Sequence, residues 1–581
     1  MAALRLDLIL RHLRPHRRTV LMGAGALVLV NLLGVALPLL VRSVINDLHR
    51  GFSMQVLLRD ALLLVGLATV MAAVRLSSRL LVFGVGRQVE SELKLQIFEH
   101  LLRQEPGWVQ SLGSGEVISR ATSDVENVRR LLGFAVLSLC NTALAYALTL
   151  PAMLLIDPWL SLAAVAVYPV MLLTVRLFGG RMMGQQRAQQ QALAALSDLV
   201  QEDLSGIGAI KIYGQETTEL ASFARLNRGY RDAALNLART RSTLFPLLEG
   251  LSSFSLLLLL GLGSSQLASG GLSLGDLVAL ILYVERLVFP TALLGFTLST
   301  FQTGQVSLER IEELLRRQPT IQSPADPTPP AAPMRGVIEA RDLTIRYPGQ
   351  SRPALHNLNF RIAPGEIVAV VGPIGCGKTT LARALGRMVE VPEGELFLDQ
   401  RDITSLDLEV LRRQVAIVPQ EGFLFTASLA DNVRYGDPGA SMARVRQATR
   451  QARLEDDIRG FPDGFDTLVG ERGITLSGGQ RQRTALARAL LLEAPVLVLD
   501  DALASVDNST AAGILAEVRQ QKRRSVLMIS HQLSAAAACD RILVLDQGQL
   551  VQQGHHAELL NLNGTYRRLW EREQVERLQA A

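Results

Sequence analysis

Nine consecutive residues, Gly372-Pro373-Ile374-Gly375-Cys376-Gly377-Lys378-Thr379-Thr380, have the types and spacing of a phosphate-binding loop, G-x4-G-K-[ST]. Glycines let backbone N–H groups converge on phosphate oxygens, Lys378 brings a cation to the β- and γ-phosphates, and Thr379 offers a hydroxyl to Mg²⁺. The apolar, β-rich run Ile367-Val368-Ala369-Val370-Val371 before the loop predicts a strand, and Leu381-Ala382-Arg383-Ala384-Leu385 after it predicts a helix whose N-terminus adds its dipole. A second run, Val496-Leu497-Val498-Leu499-Asp500, reads as a buried strand ending in a carboxylate that can hold Mg²⁺ through water. Between them, Leu476-Ser477-Gly478-Gly479-Gln480 precedes a helical stretch and reads either as a further anion-binding helix start or as a plain N-cap. The order and spacing of the three motifs favour the first reading.

The elements that must carry these motifs divide the chain by composition. Of 581 residues, 19% are charged, against about 25% in an ordinary soluble domain. The deficit is local: residues 131–178 hold only Asp157 and Arg176 as charges. This excludes a wholly soluble or disordered chain. Apolar runs at about 19–41, 56–81, 131–156, 159–178, 244–267 and 277–298 are each long enough to cross a hydrocarbon core of about 30 Å. The first follows Arg11, Arg14, Arg17 and Arg18 as a secretory signal would, but it is too long and lacks a small-x-small cleavage site. Lys and Arg concentrate in the two long gaps, with Arg87, Lys94, Arg120, Arg129 and Arg130 in one and Arg181, Arg187, Lys211, Arg225 and Arg239 in the other. The positive-inside rule then places both termini, both gaps and everything after the sixth span in the cytoplasm. The gaps read as cytosolic helical extensions of the spans, with independent soluble hairpins as the alternative. Arg75, Arg79, Glu249, Glu285 and Arg286 fall inside apolar runs and should face a cavity or pair, with Arg75 and Arg79 close enough to the inner interface to snorkel. Asn31 and Asn141 are expected to hydrogen-bond between helices.

Residues 318–336 carry six prolines and read as a linker, so a membrane domain is expected over 1–317 and a nucleotide-binding domain over 337–581. The expected fold is an all-α transmembrane domain of six long helices followed by an α/β P-loop NTPase cassette. The formal charge of +5 and the lack of basic tracts interleaved with aromatics give no case for nucleic acid. Cys140, Cys376 and Cys539 lie too far apart to make a metal or disulfide spacing.

With these motifs in this order, nearly the whole chain resembles the ATP-binding cassette (ABC) transporters, specifically the exporter-type half-transporters. The resemblance implies ATP and Mg²⁺ as ligands, a lipid bilayer as surroundings, and a bacterial inner (plasma) membrane as location. It implies Tyr347 of Arg346-Tyr347-Pro348 as the adenine-stacking aromatic, and Gly372, Gly375, Cys376, Gly377, Lys378, Thr379 and Thr380 as the phosphate loop. Gln420 of Val418-Pro419-Gln420 is implied at Mg²⁺ and the attacking water, together with Asp500 and Thr379 as metal-side residues. His531 of Ile529-Ser530-His531 is implied at the γ-phosphate. Ser477, Gly478, Gly479 and Gln480 would serve the nucleotide of a second cassette, and Asp507 would lie in the loop that crosses the dimer interface. Gly470-Glu471-Arg472-Gly473, Gly113 to Val117 with Asp124 to Glu126, and Ile210 to Glu216 match segments that couple the two kinds of domain.

One position departs from the family pattern. After Asp500 the family carries Glu, which polarises the attacking water; position 501 is Asp. Losing one methylene withdraws the carboxylate by about 1.5 Å, and a displacement near 1 Å can cost about 10²-fold in rate. ATP binding is then expected at this chain's own site, with attenuated hydrolysis by Asp501. The family reading of such asymmetry is a heterodimer with a different half-transporter that carries Glu. The alternatives are a homodimer in which Asp501 works as the base in both sites, a regulatory or channel-like subunit, and an importer on the same frame. Cys376 in the loop predicts sensitivity to thiol alkylation, and Ile374 should act through its backbone. The long apolar spans suit export of a hydrophobic or amphipathic molecule, drug or lipid-like.

Overall fold

The computed structural model describes residues 6–50, 53–330, 334–470, 473, 475–506, 508–520 and 524–580. Glu471, Arg472 and Asp507, singled out in the sequence, lie outside the described residues. The chain forms two compact units, one of residues 1–102 and 112–317, the other of 103–111 and 318–581.

Among the described residues of the first unit, six helices are long and apolar enough to cross a membrane: Asp7–Leu48, Met54–Arg103, Ser114–Ile156, Pro158–Ser205, Glu216–Ala268 and Leu274–Arg316. They run for 42 to 53 residues. At 1.5 Å per residue that is more than 60 Å, about twice a hydrocarbon core, so every one of them outlasts the apolar run at its centre. The fourth is interrupted, which the sequence reading missed: helix stops at Val165 and resumes at Tyr168, where Pro169 in the first turn lacks the N–H that would have continued the ladder.

The sixth span holds the bundle together through polar contacts. Tyr283 donates its hydroxyl to Val35 O of the first span (2.7 Å), Thr297 shares a hydrogen bond with Ser138 of the third (2.9 Å), and Tyr168 of the fourth donates to Val284 O (2.7 Å). Hydrocarbon tails compete for apolar contact but not for hydrogen bonds, so such bonds single out helix partners that a uniform apolar surface would not. Tyr283, Leu280, Leu287, Thr291 and Thr297 are accordingly buried. Of the two outcomes expected for Glu249 and Glu285, pairing is not seen: both are exposed, with no ion pair among the described residues.

The second unit is built on two sheets. A four-stranded antiparallel sheet has the order β2-β1-β4-β5, with β1 Ile338–Ile345, β2 Leu355–Ile362, β4 Leu396–Leu398 and β5 Arg401–Asp402. The larger sheet has the order β10-β9-β3-β8-β7-β6, with β3 Ile367–Val371, β6 Val415–Val418, β7 Val496–Asp500, β8 Ser525–Ile529, β9 Arg541–Asp546 and β10 Gln549–Gly554. Strands β9, β3, β8, β7 and β6 are parallel. Their unbroken apolar sequences follow from burial on both faces. Alternate residues sort to two cores: Ile367, Ala369, Val371, Leu497 and Leu499 to one, Val368, Val370, Val496 and Val498 to the other, which they share with β1 and β2. Residues 103–111, between the second and third spans, join this unit, where Glu105 Oε1 accepts from Thr320 Oγ1 (2.6 Å) and from the backbone N–H groups of Thr320 and Ile321. Burial pushes the Glu105 carboxyl upward, but these bonds outweigh it and hold it below the usual range.

Candidate functional site: the strand ends of the cassette

In a parallel sheet every strand delivers its C-terminal end to one edge, and ligands gather there. β3 ends in the phosphate loop, β8 in Ser530-His531, β7 in Asp500-Asp501, and β6 in Pro419-Gln420. These four strands are consecutive neighbours, so sheet order alone brings together groups spread over 160 residues of sequence.

The loop is shaped by its glycines. Gly375 and Gly377 have φ of 80° and 103°, backbone that L side chains rarely adopt. A Cβ on Gly377 would also meet Ala354 O at 2.5 Å, whereas one on Gly375 would project into open space, the place a ligand's phosphates need. The helix Lys378–Leu385 begins directly at the loop. Lys378 is buried, and its Nζ donates to Gly372 O (2.8 Å) and Pro373 O (2.9 Å), so the charge is held inside the curl of the loop. Gly372 lines that curl, and Ile374 is 91% exposed at its tip.

Cys376 is buried, its Sγ 3.7 Å from Lys378 Nζ, and burial pushes the thiol up. A shielded, protonated thiol is a slower nucleophile, so alkylation at Cys376 should lag that of a free thiol. Thr379 donates Oγ1 to Asp500 Oδ1 at 3.2 Å. Burial pushes the Asp500 carboxyl up, with the Thr379 bond opposing the shift. A hydroxyl and a carboxylate in contact, beside a loop with its donors converged, are the hard oxygen donors that Mg²⁺ accepts. Tyr347, half-buried, shares a hydrogen bond with Thr380 (3.3 Å), which fixes its ring beside the loop.

Asp501 stands in the left-handed region with φ 51°. Its N–H donates to Ile529 O (2.9 Å), and its Oδ1 accepts from the backbone N–H of His531 (3.4 Å). The carboxylate is therefore drawn back onto the adjacent strand end. The side chains of His531 and Gln420 are exposed at the same edge.

Ser477, Gly478, Gly479 and Gln480 start a helix that packs against Ser505. Ser477 caps the helix Gly478–Leu491 in a reciprocal box with Gln480, whose Nε2 also donates to Asp457 (3.0 Å). No hydrogen bond joins these four residues to the phosphate loop among the described residues. Gln482 was missed by sequence reasoning. Its Oε1 accepts from Ser505 N (2.9 Å) and its Nε2 donates to Gln420 O (3.5 Å), so it ties the segment after β7 to the one after β6. A polar residue at a buried helix position was the only signal, and that is not specific.

Comparison with known proteins fits this geometry. Residues 20–291 match the family model of the ABC transporter transmembrane region, and residues 355–504 that of the ABC transporter cassette. The chain is 32% identical over 568 residues to the multidrug resistance-like ATP-binding protein MdlA of Escherichia coli, covering 97% of this chain and 96% of that protein. It is 34% identical over 482 residues to an ATP-dependent lipid A-core flippase of Pseudomonas fluorescens, covering 82% and 79%. A solved structure of a bacterial Atm1-family ABC exporter with ATP bound superposes with a TM-score of 0.77 at 28% identity, covering 96% of this chain and 98% of that one. The chain therefore belongs to the ABC transporter family, as a multi-pass membrane exporter whose six spans are followed by a cassette that binds ATP and couples its hydrolysis to transport.

Proposed function

We propose that this chain is one half of a dimeric exporter of hydrophobic or amphipathic molecules, drug or lipid-like, in the bacterial inner membrane, with both termini and the cassette in the cytoplasm and residues 1–317 and 337–581 as its two working domains. At the strand ends, Lys378 and the N–H groups of Gly375 to Thr380 bind the nucleotide's phosphates, and Tyr347 stacks on the adenine. Thr379, Asp500 and Gln420 hold Mg²⁺, which when bound neutralises charge developing on the phosphates. His531 contacts the γ-phosphate. Ser477, Gly478, Gly479 and Gln480, with Asp507, serve the site completed by the second cassette. That Ser477 to Gln480 make no hydrogen bond to this chain's own phosphate loop among the described residues supports this division.

The observation that carries the finer reading is Asp501. Its short side chain, its left-handed backbone and its bond to the His531 N–H keep the carboxylate at the sheet edge. Asp tolerates that backbone because a short polar side chain bonds locally. A base withdrawn in this way polarises water poorly, so the chain's own site binds ATP and hydrolyses it slowly, and the partner is a different half-transporter carrying Glu at the matching position. The homodimer remains the second reading, because every other motif residue is in place. Gentle extraction of the tagged chain from its native membrane, followed by native mass measurement, decides between them. A stoichiometric second half-transporter supports the asymmetric design, and two copies of this chain alone overturn it.

A further inference from the structure

His531 is carried on a short connection between β8 and a helix. Its side chain is exposed, so the aim of the imidazole depends on the backbone beneath it. That backbone is fastened on the upstream side: Ser530 N donates to Val370 O (3.3 Å), Ser530 Oγ accepts from Gln532 N (3.0 Å), and His531 N donates to Asp501 Oδ1 (3.4 Å). Downstream, the five-residue helix Leu533–Ala537 begins just past His531. A helix this short has a costly start, and its first N–H groups find no partner within it. Gln532 stands at the N-cap position, a residue outside the set that caps well, and its side chain makes no cap bond.

The missing acceptor comes from 40 residues further along the chain, where Glu573 Oε2 accepts from Leu533 N at 2.7 Å. Glu573 lies on the helix Thr565–Ala580, and two anchors earlier in that helix fix its place. Tyr566 is fully buried and its hydroxyl shares a hydrogen bond with His556 Nδ1 (2.7 Å), while the Trp570 ring lies against His556 with centroids 4.6 Å apart. Tyr566 and Glu573 are about two turns apart, so they share one face. The other end of the short helix is held as well, because Arg519 Nη2 donates to Ala538 O (2.7 Å), and Leu533 and Ala536 are buried. The short helix is thus clamped at both ends. At its start the clamp is a carboxylate on an N–H at the positive end of the helix, a stronger hold than water would give.

We propose that Glu573 is a positioning residue for ATP recognition at this chain's own site: by capping the helix at Leu533 it holds the His531 backbone where the imidazole meets the γ-phosphate. This rests on the assignment of His531 to the γ-phosphate above, and extends it to a helix outside the nucleotide motifs. The readout is the preference for ATP over ADP, since the two differ by the γ-phosphate alone. The complete complex in nanodiscs is photolabelled on ice with 8-azido-ATP, the labelled chain is resolved by electrophoresis, and ATP or ADP competes. His531→Ala should lower the ATP-over-ADP preference about tenfold, the worth of one charge-assisted hydrogen bond. Glu573→Met, similar in length but without an acceptor, should lower it about three- to fivefold while ADP competes as before. Glu573→Gln keeps an acceptor oxygen at the same reach and should stay within about twofold of the unaltered protein. Equal weakening of ATP and ADP by Glu573→Met would make the residue a plain strut of the cassette and overturn the proposal. So would an unchanged preference in Glu573→Met beside a responsive His531→Ala. Equal losses in the Met and Gln variants would overturn the hydrogen bond as the cause. An unchanged preference in His531→Ala would instead overturn the γ-phosphate assignment beneath the proposal, whatever Glu573 does.

Discussion

The strand-end site of the cassette and the polar knot around Arg286 both bury a cation, yet they treat it differently. Lys378 is folded onto carbonyl oxygens of its own loop, and its charge is stabilised before any ligand arrives. Arg286 is held on one side by Asn31, while its Nη1 is buried against Gly34 without a hydrogen-bond partner. A loop that binds phosphates with backbone N–H groups is prepared by glycine geometry, so one side chain adds to a site already built. A membrane span has its backbone N–H groups committed to the helix, so a charge within it is held by single side chains. The cassette site should therefore fail as a unit, while the membrane contact should fail one residue at a time.

The largest effect tests that contrast directly. Lys378→Ala should lower nucleotide affinity and ATPase at this chain's site by about 10²-fold or more, read by nucleotide binding and phosphate release, because the phosphates lose their only side-chain cation in the loop. If Arg286→Gln produced a comparable loss of basal ATPase, the separation of the two sites would be broken. Next in size, Asp501→Glu should raise single-site hydrolysis by about 10-fold or more, since it restores the missing reach. No gain would mean that the left-handed backbone, rather than side-chain length, limits the base.

Smaller effects sharpen the picture of the cassette. Gln482→Ala should lower ATPase a few-fold and cost about 1–2 kcal/mol in stability, read by thermal unfolding, as Ser505 N loses its acceptor. For Asp500 the folded carboxyl is raised, so the folded chain binds that proton more tightly than the unfolded one, and the cassette gains stability below the unfolded value and loses it as pH rises through the folded one. Asp500→Asn should therefore raise the nucleotide-free melting temperature at neutral pH while removing Mg²⁺-dependent hydrolysis. Smallest of all, alkylation of Cys376 in the folded protein should lag a free thiol and keep climbing with pH past about 8.5, since less thiolate is present at any given pH. Fast labelling at pH 7 would show that the loop opens readily.

Much of the cassette was legible because its chemistry is contiguous. The loop Gly372 to Thr380 carries its turn, its cation and its hydroxyl within one stretch, and the strands beside it are apolar without a break because both faces are buried. Six spans were legible for a similar reason, since a run of 20 apolar residues has few other uses. The break before Tyr168 was not legible, because Pro38, Pro151, Pro246 and Pro290 all sit inside unbroken helices and only packing decides which proline interrupts one. Nor was Gln482, whose partners Ser505 and Gln420 lie 23 and 62 residues away.

The sequence alone thus determined which stretch has the types and spacing of a phosphate loop, where lipid-compatible helices run, and that position 501 carries Asp where the resemblance implies Glu. These are local properties, written in side-chain type, period and spacing. Tertiary structure decided the rest: that β3, β8, β7 and β6 are neighbours, so that Gln420, His531 and Asp500 share an edge; that Asp501 is turned back onto the His531 N–H; that Cys376 is shielded; and that Asn31, Asn141 and Arg286 meet in mid-span with one donor left over. Each depends on contacts between segments tens to hundreds of residues apart, and no local pattern encodes a distance of that kind.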